Sequence, residues 1–237
     1  MRAIATFDVD DVRACSEVLR GLGRDSPSME AAAADVVRYL YDELGDGHGN
    51  RACALVRLYK THPYGKLPPS LREFAGDVLG DVPDDDVRCF TLLGTAGDEP
   101  EWNDPRRSQG HQAIPLPSEQ LVEQLPMVLQ LITQLGLEVA SVVRPDPGAT
   151  RELSQRTYDV FHVPEAAGSP HVPAQDFVER HRIASALGFG GMLYTGDFYA
   201  VVLFSKVPVT ADTAQLLKIL SLAVRVPLLA NLDRVFS

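Results

Sequence analysis

At 237 residues the chain is long enough to bury a sizeable core without disulfides or metal, and no low-complexity linker divides it, so one elaborated domain is expected. Its 32 acidic residues outnumber the 22 basic ones for a formal net charge of −10, with no Lys/Arg run to offset it, which argues against nucleic acid and anionic membrane as partners. The opening MRAIATFDVDDV lacks the apolar core and cleavage site of a secretory leader, and no later run reaches transmembrane length. Three scattered cysteines, Cys15, Cys53 and Cys89, suit a reducing compartment better than a disulfide framework, so a cytoplasmic protein is expected.

Asp8 opens an Asp-x-x-Asp start, and Val12, Cys15, Leu19 and Leu22 follow at helical spacing until Gly23. Ser26-Pro27 then predicts a second helix start, with Met29, Ala33, Val36, Val37, Leu40, Tyr41 and Leu44 on one face up to Gly45. Residues 51–61 set Cys53, Leu55, Arg57 and Tyr59 against Ala54, Val56, Leu58 and Lys60, the alternation of a strand. Residues 62–86 form an insertion: a Pro-rich loop, a Ser70-x-x-Glu73 capping box starting a helix to Leu79, and an acidic loop ending in Asp84-Asp85-Asp86. The acidic run lacks the spacing and glycine of a calcium loop and reads as solvent-facing. A second strand is predicted at 87–93, followed by a long polar connector over 94–117 that holds the only tryptophan, Trp102.

Ser118 predicts the N-cap of a helix kinked at Pro126 and ended by Gly136. Residues 137–143 read as a strand, with a continued helix as the alternative. One or two helical turns over 149–157 and a strand over 158–163 come next, and residues 173–181 link them to the last quarter of the elements. No internal repeat period is visible, which excludes a solenoid or propeller. The remaining stretch, 183–236, divides into a strand, a Thr195-Gly196-Asp197 turn, a second strand, a Ser-Lys-Val-Pro connector and one long helix with Thr210 as N-cap. That helix is apolar around most of its circumference, from Leu216 to Val235, with Pro227 inside it. Such a surface is met either by a second chain or by the N-terminal helix of the same chain.

Over this stretch the pattern G-F-G-G-M-L, G-D, A-V-V-L-F-S, P-V-T and L-L resembles the C-terminal half of a GAF domain, a small-molecule sensor module related to PAS domains. The resemblance implies a mixed α+β fold, a central antiparallel sheet with flanking helices, made up of a helical N-terminal extension over 1–25 and a GAF-like domain over 26–237. It further implies a small molecule held above the sheet, a homodimer formed through the terminal helices, and a separate signalling partner.

Several residues are candidates for that ligand. The glycines of Gly188-Phe189-Gly190-Gly191 do not form a phosphate loop, because a strand rather than a helix follows them. They make a bulge or leave space above the sheet, and Phe189, Gly190 and Tyr158 then line it. The six histidines show no paired zinc spacing. His162, in an apolar strand beside Tyr158 and Phe161, is the best single axial ligand for haem; the alternative is an imidazole bonded to backbone. Trp102, Arg106 and His111, with Arg107, form the one locally basic loop. Folded over the sheet it binds an anionic ligand; lying outside, it is a solvated turn.

No nucleophile elbow, H-E-x-x-H or Walker A motif is present, so a non-enzymatic sensory role is expected. Two alternatives stand beside it. One is a scaffolding protein whose pocket is filled by its own side chains. The other is a reductase like the GAF-class methionine sulfoxide reductases, with Cys53 and Cys89 approaching each other from neighbouring strands.

Overall fold

The computed structural model describes residues 1–236. In chain order its elements are β1 (Arg2–Ala3), α1 (Val9–Gly21), α2 (Met29–Glu43), β2 (Leu44–Gly45), β3 (Cys53–Pro63), α3 (Pro69–Leu79), β4 (Arg88–Gly97) and β5 (Ala113–Leu116). These are followed by α4 (Glu119–Glu123), α5 (Pro126–Gln134), α6 (Val139–Val143), α7 (Thr150–Gln155), β6 (Phe161–Val163), α8 (Gln175–Arg180), β7 (Ser185–Met192), β8 (Phe198–Ser205) and α9 (Ala211–Leu229). The fold is mixed α+β. Six strands form one sheet in the order β5-β4-β3-β8-β7-β6, and each neighbouring pair is antiparallel. β1 and β2 make a small parallel pair apart from it.

Because side chains alternate across a strand, β3 feeds two cores. Val56 and Leu58 point to the side covered by α1, α2 and α9, where they join Val12, Leu19, Leu40, Phe189 and Leu220. Leu55 and Tyr59 point to the opposite side, where α4 to α8 close over them with Phe90, Leu131, Phe161 and Phe198. β3 and β8 are therefore buried on both faces, which is why they read as continuous apolar runs. α1 is part of the first core, since Val12, Cys15 and Leu19 are fully or almost fully buried against α9.

Local chemistry explains several boundaries. The Asp8 side chain accepts from Asp10 and Asp11 N–H while Asp11 reaches back to Asp8 N–H, a complete capping box. Thr210 caps α9 through Thr213 N–H. α2 starts two residues later than Ser26-Pro27 predicts, with Ser28 accepting from Ala31 N–H. α3 starts at Pro69, so Ser70 lies inside its first turn and caps nothing. Pro126 does not kink one helix but begins a second, because the first helical position needs no N–H.

Elsewhere tertiary context overrides local preference. Residues 137–143 are not a strand: Val139–Val143 is the short helix α6, which buries Val142 and Val143 in the second core. The polar connector over 94–117 is shorter than expected, since β4 runs on to Gly97 and β5 adds an edge strand containing Pro115, a residue that edges tolerate. Residues 173–181 contain the helix α8, and β6 begins only at Phe161, after Tyr158.

α9 closes the first core, and α1 covers part of it from the same chain. Tyr199 ties the sheet to it by donating to the Ser221 carbonyl at 2.9 Å. Beyond α9 the chain turns back onto α2, whose first two N–H groups, Met29 and Glu30, donate to the carbonyls of Arg234 and Val235. On the solvent side Ile219, Leu222 and Val226 remain 41%, 43% and 39% exposed. Among the described residues no helix is long and apolar enough to cross a membrane.

Candidate functional site

The glycines of β7 serve close approach rather than a bulge. The β7–β8 register runs without interruption from Ser185 opposite Ser205 to Met192 opposite Phe198. A Cβ on Gly190 would lie inside the Tyr199 carbonyl oxygen and 2.8 Å from Ala200 Cα, both backbone atoms of β8. A Cβ on Gly188 would stand 3.0 Å from Leu131 and 3.2 Å from Phe161, and the Tyr158 ring occupies the place beside Gly191. The space at these glycines is thus taken by β8 backbone at Gly190 and by protein side chains at Gly188 and Gly191. Tyr158 also donates its hydroxyl to the Leu153 carbonyl at 2.6 Å. Phe189 lies on the other side of the sheet, fully buried against the terminal helices. Tyr158 and Phe189 therefore face different cores. His162 Nε2 donates to the Val209 carbonyl at 2.9 Å, the backbone-bonded arrangement, while its own N–H donates to Gln134.

The connector between β4 and β5 folds back over the sheet. Thr95 donates to the Trp102 carbonyl at 2.9 Å, and the Asn103 side chain bonds both the N–H and the carbonyl of Gly97 at 3.1 Å. The Trp102 ring packs on Phe177 and His181, with centroids 5.5 and 4.5 Å away. Arg106 turns outward and binds Asp104 with two bonds of 2.9 and 3.0 Å. Beneath the connector, Arg57 of β3 donates to the hydroxyls of Tyr59 and Ser108, each at 3.2 Å. His111, exposed on the connector, has its pKa lowered, first by desolvation and then by the nearby Arg57 charge.

A third constellation was not foreseen. Lys60 is 2% exposed, yet its Nζ lies 2.7 Å from Asp197 Oδ2, 3.2 Å from the Thr61 carbonyl and 3.4 Å from His62 Nδ1. Arg88 reaches the other Asp197 oxygen at 2.6 Å, and Thr195 donates to Asp197 at 2.7 Å. One buried carboxylate in the β7–β8 turn thus joins β3, β4 and the hairpin. His62 is 4% exposed and packs against Phe236. With Nδ1 accepting from Lys60, its Nε2 carries the ring proton and has no acceptor. Burial, then the charges of Lys60, Arg88 and Lys66, hold the His62 pKa well below the usual imidazole value. Arg88 also borders an open cleft of about 400 Å³ lined by Pro63, Gly65, Lys66, Asp85 and Asp86. The signal in the sequence was Lys60 itself, which shares its strand face with Val56 and Leu58.

The two strand cysteines do not approach each other. Cys53 pairs with Ser205 at one end of β3, whereas Cys89 sits opposite His62 near the other, a separation of roughly 30 Å at strand rise. Both are fully buried, and burial pushes both thiols up to about 12. Among the described residues no group of three or more His, Cys, Asp or Glu is placed to hold a metal ion. Comparison with protein-family models and with curated proteins finds no match for this chain.

Proposed function

We propose that the chain is a non-enzymatic regulatory module of the GAF-like type that works through its terminal helices, paired with a second copy of itself and read by a separate signalling partner. The observation that carries this is the outer side of α9. Its inner side packs on the sheet and on α1, while Ile219, Leu222 and Val226 project to solvent at the three- and four-residue spacing of a helix seam. Support for the GAF-like fold comes from the antiparallel order, which puts the first and last long strands, β3 and β8, side by side at the centre with the terminal helices on one face.

Two versions differ in whether a small molecule sits above β7. The contacts of Leu131, Phe161 and Tyr158 with the β7 glycines favour the version in which the chain fills that space itself. Sedimentation velocity over a wide concentration range tests the pairing: wild type is expected to dimerise and Leu222→Glu with Val226→Glu to stay monomeric with an unchanged circular dichroism spectrum. A wild type that is monomeric throughout would overturn it. Thermal shift against nucleotides, tetrapyrroles and amino acids separates the versions, since a saturable rise requires a ligand and uniform silence fits the filled space.

A further inference from the structure

We infer that Arg57 anchors a binding site for a small oxyanion, a phosphate or carboxylate group, on the sheet face beneath the β4–β5 connector. Arg57 stands at the middle of the sheet, opposite Thr95 of β4 and Val202 of β8, on the side of β3 that carries Leu55 and Tyr59. It is half-buried there. A guanidinium carries five N–H donors in a planar fork and no acceptor. Here one nitrogen donates to the Tyr59 hydroxyl and one to Ser108 Oγ, while the third, Nε, is buried without a partner.

None of the ion pairs among the described residues includes Arg57. Several other cations of this acidic chain have carboxylate partners. Lys60 and Arg88 share Asp197, and Arg2 holds both Asp11 and Glu43. A cation withdrawn from water against neutral hydroxyls alone is costly, and an anion from outside removes that cost.

The neighbours suit such an anion. The Tyr59 and Ser108 hydroxyls accept from Arg57 and keep their own protons to donate, so with Nε three donors without an acceptor lie around one guanidinium. Ser108 is 6% exposed and is held in a connector that Thr95 and Asn103 tie to β4, so its hydroxyl is fixed before anything binds. Asp104, the nearest acidic residue along the connector, is occupied by Arg106. The site stands independently of helix pairing, because it lies on the opposite face of the sheet from α9.

The test uses the full chain at constant ionic strength, with inorganic phosphate and acetate as probes and chloride as reference. Either anion is expected to raise the melting temperature saturably and to raise the His111 pKa read from its ring protons by NMR. A response to phosphate alone assigns a phosphoryl group, and one to acetate alone a carboxylate. Arg57→Gln is expected to weaken binding by roughly tenfold or more, as loss of a charged hydrogen-bonding group does, and Arg106→Gln to leave it unchanged. In chloride, Arg57→Gln should be at least as stable as wild type, which a purely structural arginine would not permit. Ser108→Ala, expected to weaken binding several-fold, covers the case in which Arg57→Gln does not fold. Silence toward both anions, or an equal response in the Arg57 and Ser108 variants, overturns the assignment.

Discussion

Replacing Asp197 by Asn removes one charge and almost no volume from the buried cluster. Lys60 then keeps its ammonium in a position 2% exposed, with only neutral acceptors, the new amide oxygen, the Thr61 carbonyl and His62 Nδ1, around it. Breaking a buried pair in this way costs about 3–5 kcal/mol, because the surviving charge is left uncompensated. Against a total stability of about 5–15 kcal/mol this is a large fraction. At about 2–4 °C per kcal/mol for a chain of this size, the melting temperature should fall by roughly 6–20 °C. Adding Lys60→Met removes the more deeply buried of the two cations that shared Asp197 and leaves a flexible apolar side chain of similar length, so the double variant should recover part of the loss, Arg88 still lacking its carboxylate.

The assay is equilibrium urea unfolding followed by two probes, repeated from neutral to alkaline pH. Burial already lowers the Lys60 pKa below 10.5 in the presence of Asp197, and without that carboxylate the depression deepens. Between the depressed value and 10.5 the native state then binds fewer protons than the unfolded chain, so stability rises with pH through that window. The deficit of Asp197→Asn relative to wild type should therefore narrow as the pH is raised. A loss below about 1 kcal/mol, typical of an exposed pair, would refute the reasoning, and so would a double variant no better than the single one.

His62 stays neutral in the native state while an unfolded histidine titrates near 6.5, so its contribution is lost as pH falls below that value, by up to about 1.4 kcal/mol per unit. Lys60, Arg88, Lys66 and Asp197 surround it, so the measurement is the difference from His62→Gln, whose acid unfolding should be shallower; parallel curves would dismiss His62 as the group. Gly190→Ala should lose roughly 3 kcal/mol or fail to fold, since its new methyl meets β8 backbone on both counts, whereas Gly21→Ala, which meets nothing, should be neutral or slightly stabilising. Cys53 and Cys89 should react with a thiol reagent only at the rate of unfolding, and rapid labelling of the native protein would contradict their burial.

What was legible in the sequence divides by range. The Asp8 box, the Thr210 cap and the β7–turn–β8 hairpin could be read because each is settled by side chains a few residues apart. The helix over 139–143 could not, because a valine-rich run prefers a strand and only the second core, assembled from distant elements, decides otherwise. β5 was hidden for a related reason: its Pro115 argues against a strand except at an edge, and which strand is the edge is a property of the whole sheet. The glycines of β7 read as space-makers, but what enters the space is backbone from β8, the Leu131 side chain of α5 and the rings of Phe161 and Tyr158.

β3 shows how far the alternation rule carries into function. It places two cations inward on opposite faces, Arg57 beside Leu55 and Tyr59, and Lys60 beside Val56 and Leu58, and both positions follow from the sequence alone. Position does not reveal partners. Lys60 meets Asp197, a residue from the far end of the chain, and becomes a clamp on the β7–β8 turn. Arg57 meets the hydroxyls of Tyr59 and Ser108 and no carboxylate. A buried cation bound to an internal carboxylate has its strongest donor already engaged and less to offer a ligand. One held by neutral acceptors keeps its field, and that difference is what separates the structural cluster on one side of the sheet from the proposed binding site on the other.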